Sequence, residues 1–370
     1  MLKAIIVFPN PFIGNPDIKI TLPSSSSSQV KHLRRNIPLK IQSCSISFQT
    51  LNRTVGGIEF PTNNSSHERR LTETPYTYNK KTKRVFFLDV NPLCYDGNNP
   101  SLHNFAHWIS LFFSQVSHSD PVIAVIDGDG GSEYRRQLLP SYKANRRIFS
   151  KQHLPWRRVS KDYGSWSDFV VDLLKKLNVT VIKLNGYEAD DVIATLVDDV
   201  LDKGGYKVVI ASPDKDFKQL ISENVQIVLP MPRFDRWSFY TLKHYITQYN
   251  CHPSSDLSLR CLVGDEVDGV PGIQHVVPGF GLKTALKLLK KHGSLEDLLK
   301  TAAVRSVGKQ YVQDALTNHA DYLRRNYQVL ALRRDVDVSL EDEWLLERNT
   351  CNDTMLISKF LEILDQKHLS

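Results

Sequence analysis

The chain has 370 residues, a formal net charge of +7 and 41% hydrophobic residues, enough for one or two domains with a substantial core. Ten of its 47 Lys and Arg but only four of its 40 Asp and Glu fall in residues 1–80, so the remainder is nearly neutral and any nucleic-acid surface on it must be local. Five cysteines without CxxC spacing exclude a disulfide scaffold or a zinc ribbon, and no apolar run reaches the roughly 18 residues of a membrane helix.

Residues 1–80 carry five consecutive serines, Ser24 to Ser28, and no acid between Asp17 and Glu59. Ser-rich, Arg-containing, acid-poor leaders read as organelle transit peptides, which places the mature protein in a chloroplast stroma or mitochondrial matrix. The competing reading is a merely disordered tail.

Strands are expected over 85–90 and 121–127, with a helix over 100–116 between them. A helix over 168–177, a short strand over 179–184 and a helix from residue 188 follow. Then come a strand over 207–211, a helix over 215–222 and a strand over 225–229. This alternation predicts an α/β fold with a parallel, doubly wound sheet. Beyond Pro232 the pattern turns helical, over 239–249, 256–263, 282–293, 295–300, 311–332 and 354–368.

Acids cluster where such folds place their sites, at the C-terminal ends of strands. Asp89 ends VFFLD and Asp127 ends VIAVID. Asp214 and Asp216 lie in SPDKD, and Asp265 and Asp268 in GDEVDG. Glu188, Asp190 and Asp191 open the helix of GYEADDVIATLVDD. Acids favour a helix N-terminus for its dipole alone, but that does not account for the strand-end acids. Like charges in one cleft need cations, and hard oxygen ligands select Mg²⁺ or Mn²⁺. The set therefore predicts a metal site for phosphoryl chemistry.

Between Tyr134 and Lys161 the chain has nine Lys and Arg, among them Arg135, Lys143, Arg146 and Arg147, and no acid. Tyr134, Tyr142, Phe149 and Trp156 are interleaved. Basic residues with aromatics suit phosphate tracking and base stacking, although charge runs are commonly solvated loops. In PGFGLKTALKLL, Gly279 and Gly281 precede a helix bearing Lys283, Thr284 and Lys287. Backbone N–H groups there can meet a phosphate.

In order, these motifs resemble the structure-specific 5′-nuclease family, the flap endonucleases and the 5′–3′ exonuclease domain of bacterial DNA polymerase I. EADD at 188–191, DKD at 214–216, GDxxD at 264–268, PGxGxKTA at 278–285 and YRRQLLPSYKANR at 134–146 carry the resemblance. It covers roughly residues 84–331 and points to a stand-alone plant organellar enzyme. It implies a PIN-like fold with a helical arch and a helix-hairpin-helix-type subdomain. The expected organisation is a leader at 1–80, a nuclease domain at 81–235 with the basic arch at 134–165, a helical DNA-binding subdomain at 236–345 and a C-terminal helix at 346–370.

The resemblance implies two-metal hydrolysis of DNA. Asp89, Asp127, Glu188 and Asp190 would hold the first ion. Asp214, Asp216, Asp265 and Asp268 would hold the second, with Asp190 near both. Asp191 is a further candidate ligand or a structural acid. Lys143 and Arg146 would position the scissile phosphate. Arg135, Tyr142, Lys143, Arg146, Arg147, Gly279, Gly281, Lys283, Thr284 and Lys287 would bind DNA, and the hairpin would hold K⁺ through backbone carbonyls. Expected substrates are 5′-flap, nicked or recessed-end duplexes, with RNA–DNA hybrids as a variant. An organellar DNA polymerase is the expected partner and the monomer the expected state. The chain departs from the family at Val90-Asn91-Pro92, where Gly-Ser usually follows the first Asp, and in a longer loop at 274–277.

Two alternatives compete. Asp127-Gly128-Asp129 resembles the DxD of haloacid-dehalogenase-type phosphatases, whose first Asp is a covalent nucleophile. That reading leaves EADD, DKD and the hairpin unused. A non-catalytic nucleic-acid-binding module would not need so many acids, whose burial costs stability.

Overall fold

In a computed structural model, residues 82–144 and 165–368 are described and belong to one compact unit. The leader, most of the basic insert and, with it, Arg146 and Arg147 lie outside the described residues. A six-stranded sheet forms the centre. It contains β1 (Lys83–Asp89), β2 (Val122–Ile126), β3 (Thr180–Lys183), β4 (Tyr206–Ala211), β5 (Val225–Met231) and β6 (Arg236–Tyr240). Their spatial order is β3-β2-β1-β4-β5-β6, and all neighbours are parallel except β5 and β6.

The sheet is covered on both faces, as its continuous apolar strands require. On one face Phe86, Leu88, Ala124 and Val209 pack under α1 (Leu102–Phe112), α3 (Trp166–Lys176) and the C-terminal α11 (Asp353–His368). Phe360 of α11 stacks on Phe169 of α3, with ring centroids 4.4 Å apart. On the other face Val85, Phe87, Ile123 and Ile210 meet α4 (Ala189–Lys203) and the short helix Lys215–Leu220. Between them in the chain, α2 (Glu133–Leu138) follows β2.

A third core joins α6 (Asp256–Val263), α7 (Leu282–His292), α8 (Leu295–Val304), α9 (Gln310–Asn318) and α10 (Ala320–Leu330), with α5 (Leu242–Tyr249) alongside. Among the described residues no helix is long and apolar enough to cross a membrane.

The doubly wound α/β expectation holds, with three corrections. Residues 239–240, expected in a helix over 239–249, belong to the antiparallel edge strand β6, and the helix starts only at Leu242. Trp237 fixes that strand by burying its ring and donating from Nε1 to the Trp108 carbonyl at 3.1 Å. The helix expected over 311–332 is two helices, broken at His319, whose ψ of 23° is not helical. Residues 215–220 wind as a tight 3₁₀ turn, because Asp214 accepts from the Asp216 N–H at 2.9 Å and tightens the start.

Candidate metal and phosphate site

Parallel strands end at one edge, and the chain changes direction along the sheet between β1 and β4. Open α/β sheets form their crevice at such a switch point. Asp89, the last residue of β1, sits there and accepts a 2.7 Å hydrogen bond from Ser212 Oγ at the end of β4. The same Ser212 Oγ accepts from the Asp214 N–H at 3.0 Å. Asp127, just past β2, is held by its own N–H on Asn91 Oδ1 at 3.0 Å. Asn91 thus has a structural use at the point where the sequence departs from the Gly-Ser pattern.

Asp127 Oδ1 also accepts from the Ala189 N–H at 2.8 Å, capping α4 from a neighbouring loop. Glu188 occupies the capping position of α4 but makes no cap bond, because its carboxylate is engaged elsewhere. Glu188 Oε1 accepts from Lys143 Nζ at 2.6 Å, and Oε2 accepts from Arg135 Nη1 at 2.6 Å and Tyr142 O–H at 3.0 Å. The helix-dipole explanation therefore fits the position of these acids but not what Glu188 does there.

A second group lies beside this one. One carboxylate oxygen each of Asp216, Asp265 and Asp268 falls within 4.8 Å of the others, and all three residues are buried. Among the described residues no other trio of His, Cys, Asp or Glu converges so tightly. Arg260 Nη2 bridges Asp216 Oδ1 and Asp265 Oδ2 at 2.5 Å each, and Lys215 Nζ reaches Asp265 Oδ1 at 2.5 Å. The loop carrying Asp265 and Asp268 is closed by the pairing of Gly264–Asp265 with Val270–Pro271. Gly264 is required twice there: its φ is +84°, and a Cβ would stand 2.2 Å from the Gly272 nitrogen. Lys143 spans the two groups, since its N–H donates to the Asp268 carbonyl at 2.9 Å while its ammonium reaches Glu188.

The electrostatics follow from burial and like charge. Burial raises Asp89 well above the usual carboxylate range, Asp127 and Asp214 reinforce it, and Ser212 and Lys143 oppose it. Burial likewise raises Asp190, opposed by Arg135 and reinforced by Asp191 and Glu188. Asp216 is pushed up to about 7 by burial, against Arg260 and with Asp214. Burial would raise Glu188 too, but Lys143 and Arg135 outweigh it and hold the carboxyl low. Arg260 and Lys215 do the same for Asp265. Such a set of crowded, partly uncompensated carboxylates fits hard divalent cations by its donor chemistry.

The structure corrects several sequence expectations. Asp191 is engaged in structural contacts: Arg135 binds both of its oxygens, at 2.8 and 2.6 Å, and the Arg333 N–H takes Oδ1 at 2.8 Å. Arg135 is 3% exposed and Tyr142 1% exposed, so neither presents a surface to DNA. Their polar atoms face Glu188 instead. Lys143 is also buried, among the carboxylate groups. No three of Asp89, Asp127, Glu188, Asp190 and Asp214 come as close together as the Asp216 trio. Asp129 of the phosphatase-like DxD is exposed and pairs with Lys183 at 3.1 Å, outside the cluster.

The hairpin residues are at the surface. Gly279 is exposed with φ +91°, and Gly281 starts α7, its carbonyl taken by the Thr284 and Ala285 N–H groups. Lys283 and Lys287 are exposed on α7 and Thr284 is half-buried. Sequence reasoning missed Ser212, Lys215 and Arg260. Lys215 was in view between two acids, whereas Arg260 gives no local signal.

A family model described as "5'-3' exonuclease, N-terminal resolvase-like domain" matches residues 82–250, and one described as "5'-3' exonuclease, C-terminal SAM fold" matches residues 251–352. A 5′-3′ exonuclease of Aquifex aeolicus is 35% identical over 71% of this chain and 82% of its own length. The thermostable DNA polymerase I of Thermus thermophilus is 32% identical over 60% of this chain, which spans 24% of that polymerase. The phage T5 D15 protein, crystallised with metal ions, shares the fold at 21% identity, with a TM-score of 0.53 over 76% of this chain and 99% of that one.

Proposed function

This chain belongs to the 5′-3′ exonuclease family, and from that premise we propose that it hydrolyses DNA phosphodiester bonds with divalent metal ions, acting on 5′ ends and 5′ flaps. The observation that carries the metal reading is the convergence of Asp216, Asp265 and Asp268 within 4.8 Å, next to Asp89, Asp127, Glu188, Asp190 and Asp214 at the same sheet edge. The T5 D15 relative has been crystallised with metal ions and as a flap endonuclease with DNA and metal ions, which supports the same ligand classes here.

Two Mg²⁺ or Mn²⁺ ions, when bound, would supply an activated water and stabilise the leaving oxygen. Asp89, Asp127, Glu188 and Asp190 are proposed to hold one, and Asp214, Asp216, Asp265 and Asp268 the other. Lys143 lies between the groups, where its ammonium can pass from Glu188 to the scissile phosphate and orient it. Arg146 and Arg147 are proposed to extend that contact. The exposed Lys283 and Lys287 with the Gly279–Gly281 turn are suited to the duplex backbone, and a K⁺ ion is proposed at that turn.

We also propose an organelle interior for the protein, on the composition of residues 1–80, with replication and repair as its setting and an organellar DNA polymerase as partner. RNA-primed duplexes are included among its substrates, and it is proposed to act as a monomer. The deciding experiment is cleavage of a 5′-flap, a nicked duplex and an RNA-primed duplex, each with Mg²⁺ and with EDTA. Asp190→Ala should abolish metal-dependent cleavage while keeping the circular-dichroism spectrum. Cleavage surviving in EDTA or in that variant rejects the reading.

A further inference from the structure

Arg135 is the most completely bonded side chain near the site, and cleavage chemistry of the kind proposed does not use it. Its Nε donates to the Val329 carbonyl at 2.9 Å, and Nη1 to Glu188 Oε2 at 2.6 Å and Asp191 Oδ2 at 2.8 Å. Nη2 donates to Asp191 Oδ1 at 2.6 Å and to the Ala331 carbonyl at 3.1 Å. All five donors of the planar fork are satisfied, in a side chain that is 3% exposed.

The partners come from three parts of the chain. Arg135 itself lies on α2, at the start of the basic insert. Glu188 and Asp191 lie at the start of α4. Val329 lies near the end of α10, and Ala331 is the residue that ends it. Asp191 completes the link by accepting from the Arg333 N–H. One guanidinium thus ties the start of the basic insert and the end of the helical part to the carboxylate of Glu188. It holds Oε2 of Glu188 together with Tyr142, so that Oε1 is the oxygen that faces Lys143.

We propose that Arg135, braced by Asp191, is a positioning residue that sets the rotamer of Glu188, and with it the geometry of the metal-facing carboxylates, against the helical part. This rests on the metal-nuclease reading and deepens it. Groups one bond removed from metal-facing carboxylates orient them, and losing such a partner weakens metal binding or activity by about 10- to 100-fold.

The test uses the full chain with Arg135→Lys and Asp191→Asn. The first keeps the charge but replaces the planar fork with a single ammonium. The second keeps the side-chain shape and removes the clamp's charge. Four quantities are measured: thermal melting, binding of a 5′-flap duplex in Ca²⁺, single-turnover cleavage at saturating Mg²⁺, and calorimetric Mn²⁺ binding to the DNA-free protein. The expected result is a folded protein with flap affinity within about twofold of wild type, cleavage about 10- to 100-fold slower and Mn²⁺ binding about tenfold weaker.

A merely structural Arg135 would lower the melting temperature and leave the cleavage rate and Mn²⁺ affinity of the folded protein unchanged; that result overturns the proposal. If Arg135→Lys does not fold, Asp191→Asn decides alone by the same measures. Wild-type protein that binds Mn²⁺ but cleaves no DNA rejects the nuclease reading while leaving the Mn²⁺ comparison to decide Arg135. Wild-type protein that binds no Mn²⁺ overturns both.

Discussion

The ammonium of Lys143 lies 2.6 Å from Glu188 Oε1, with both side chains buried. A cation on a flexible stem at this position can serve either the carboxylates or an incoming phosphate, since a Lys head is a point charge without fixed geometry. Lys143→Ala should slow single-turnover cleavage of a flap by at least about 100-fold, the loss typical of one preorganised electrostatic contact. Duplex affinity should stay within about twofold, because the exposed Lys283 and Lys287 carry backbone binding. An unchanged rate at saturating metal would remove Lys143 from the reaction.

Arg260 neutralises Asp216 and Asp265 together. Arg260→Met should leave these two buried carboxylates without their shared counter-charge, at a cost of about 3–5 kcal/mol. The destabilisation should be large in EDTA and mostly recovered in Mn²⁺, because a divalent ion replaces the missing charge. Thermal melts of wild type and variant in EDTA and Mn²⁺ check this. Equal destabilisation in both buffers would mean that Arg260 acts on packing alone.

Metal-free stability should fall as pH rises from about 4 to 7 at this site. Asp216 has a folded value of about 7 against an unfolded value of 3.8. Between the two the folded state holds the proton and the unfolded state has lost it, so raising the pH favours unfolding. Asp89 and Asp190 are raised too and act with the same sign. Asp265 and Glu188, held low, contribute the opposite slope only below their unfolded values of 3.8 and 4.5, under the pH range tested. Denaturation midpoints in EDTA at pH 5, 6 and 7 should therefore decline, while Mn²⁺ affinity rises over the same range as Asp216 loses its proton. A flat profile in EDTA would contradict the crowding of these acids.

On α7, Lys283 and Lys287 are exposed on a helix that starts just after Gly281. Replacing both by Ala should reduce the slope of log Kd against log salt by about 2, since each phosphate left without its lysine lowers the slope by about 0.9. The cleavage rate at saturating enzyme should not change. Salt titrations of flap binding by anisotropy read the first quantity, and single-turnover kinetics the second. A slope equal to that of wild type would place the duplex elsewhere.

The strand-end acids were legible because parallel strands finish at one edge, so Asp89 and Asp127 needed only the strand pattern to be placed together. The opening of α4 was legible for the same reason, as its apolar spacing fixes where Glu188 falls. Arg135 and Tyr142 were misread because their partner Glu188 lies about fifty residues away, and a basic run shows no sign of a distant acid. Residues 239–240 were misread because Trp237 is the one buried side chain of that short strand, and a helical pattern begins directly after it. Arg260 was missed because pairing a helix residue with an acid five positions later depends on how the following loop folds back.

Helix α11 begins at Asp353, one residue beyond the stretch that matches the family models. Its Phe360 is sealed against Phe169 and packs edge-on to Phe105. A protein trimmed to that homologous stretch would expose an oily strip along α1 and α3 and clump in solution. Anyone expressing a shortened version should keep the final turns through His368.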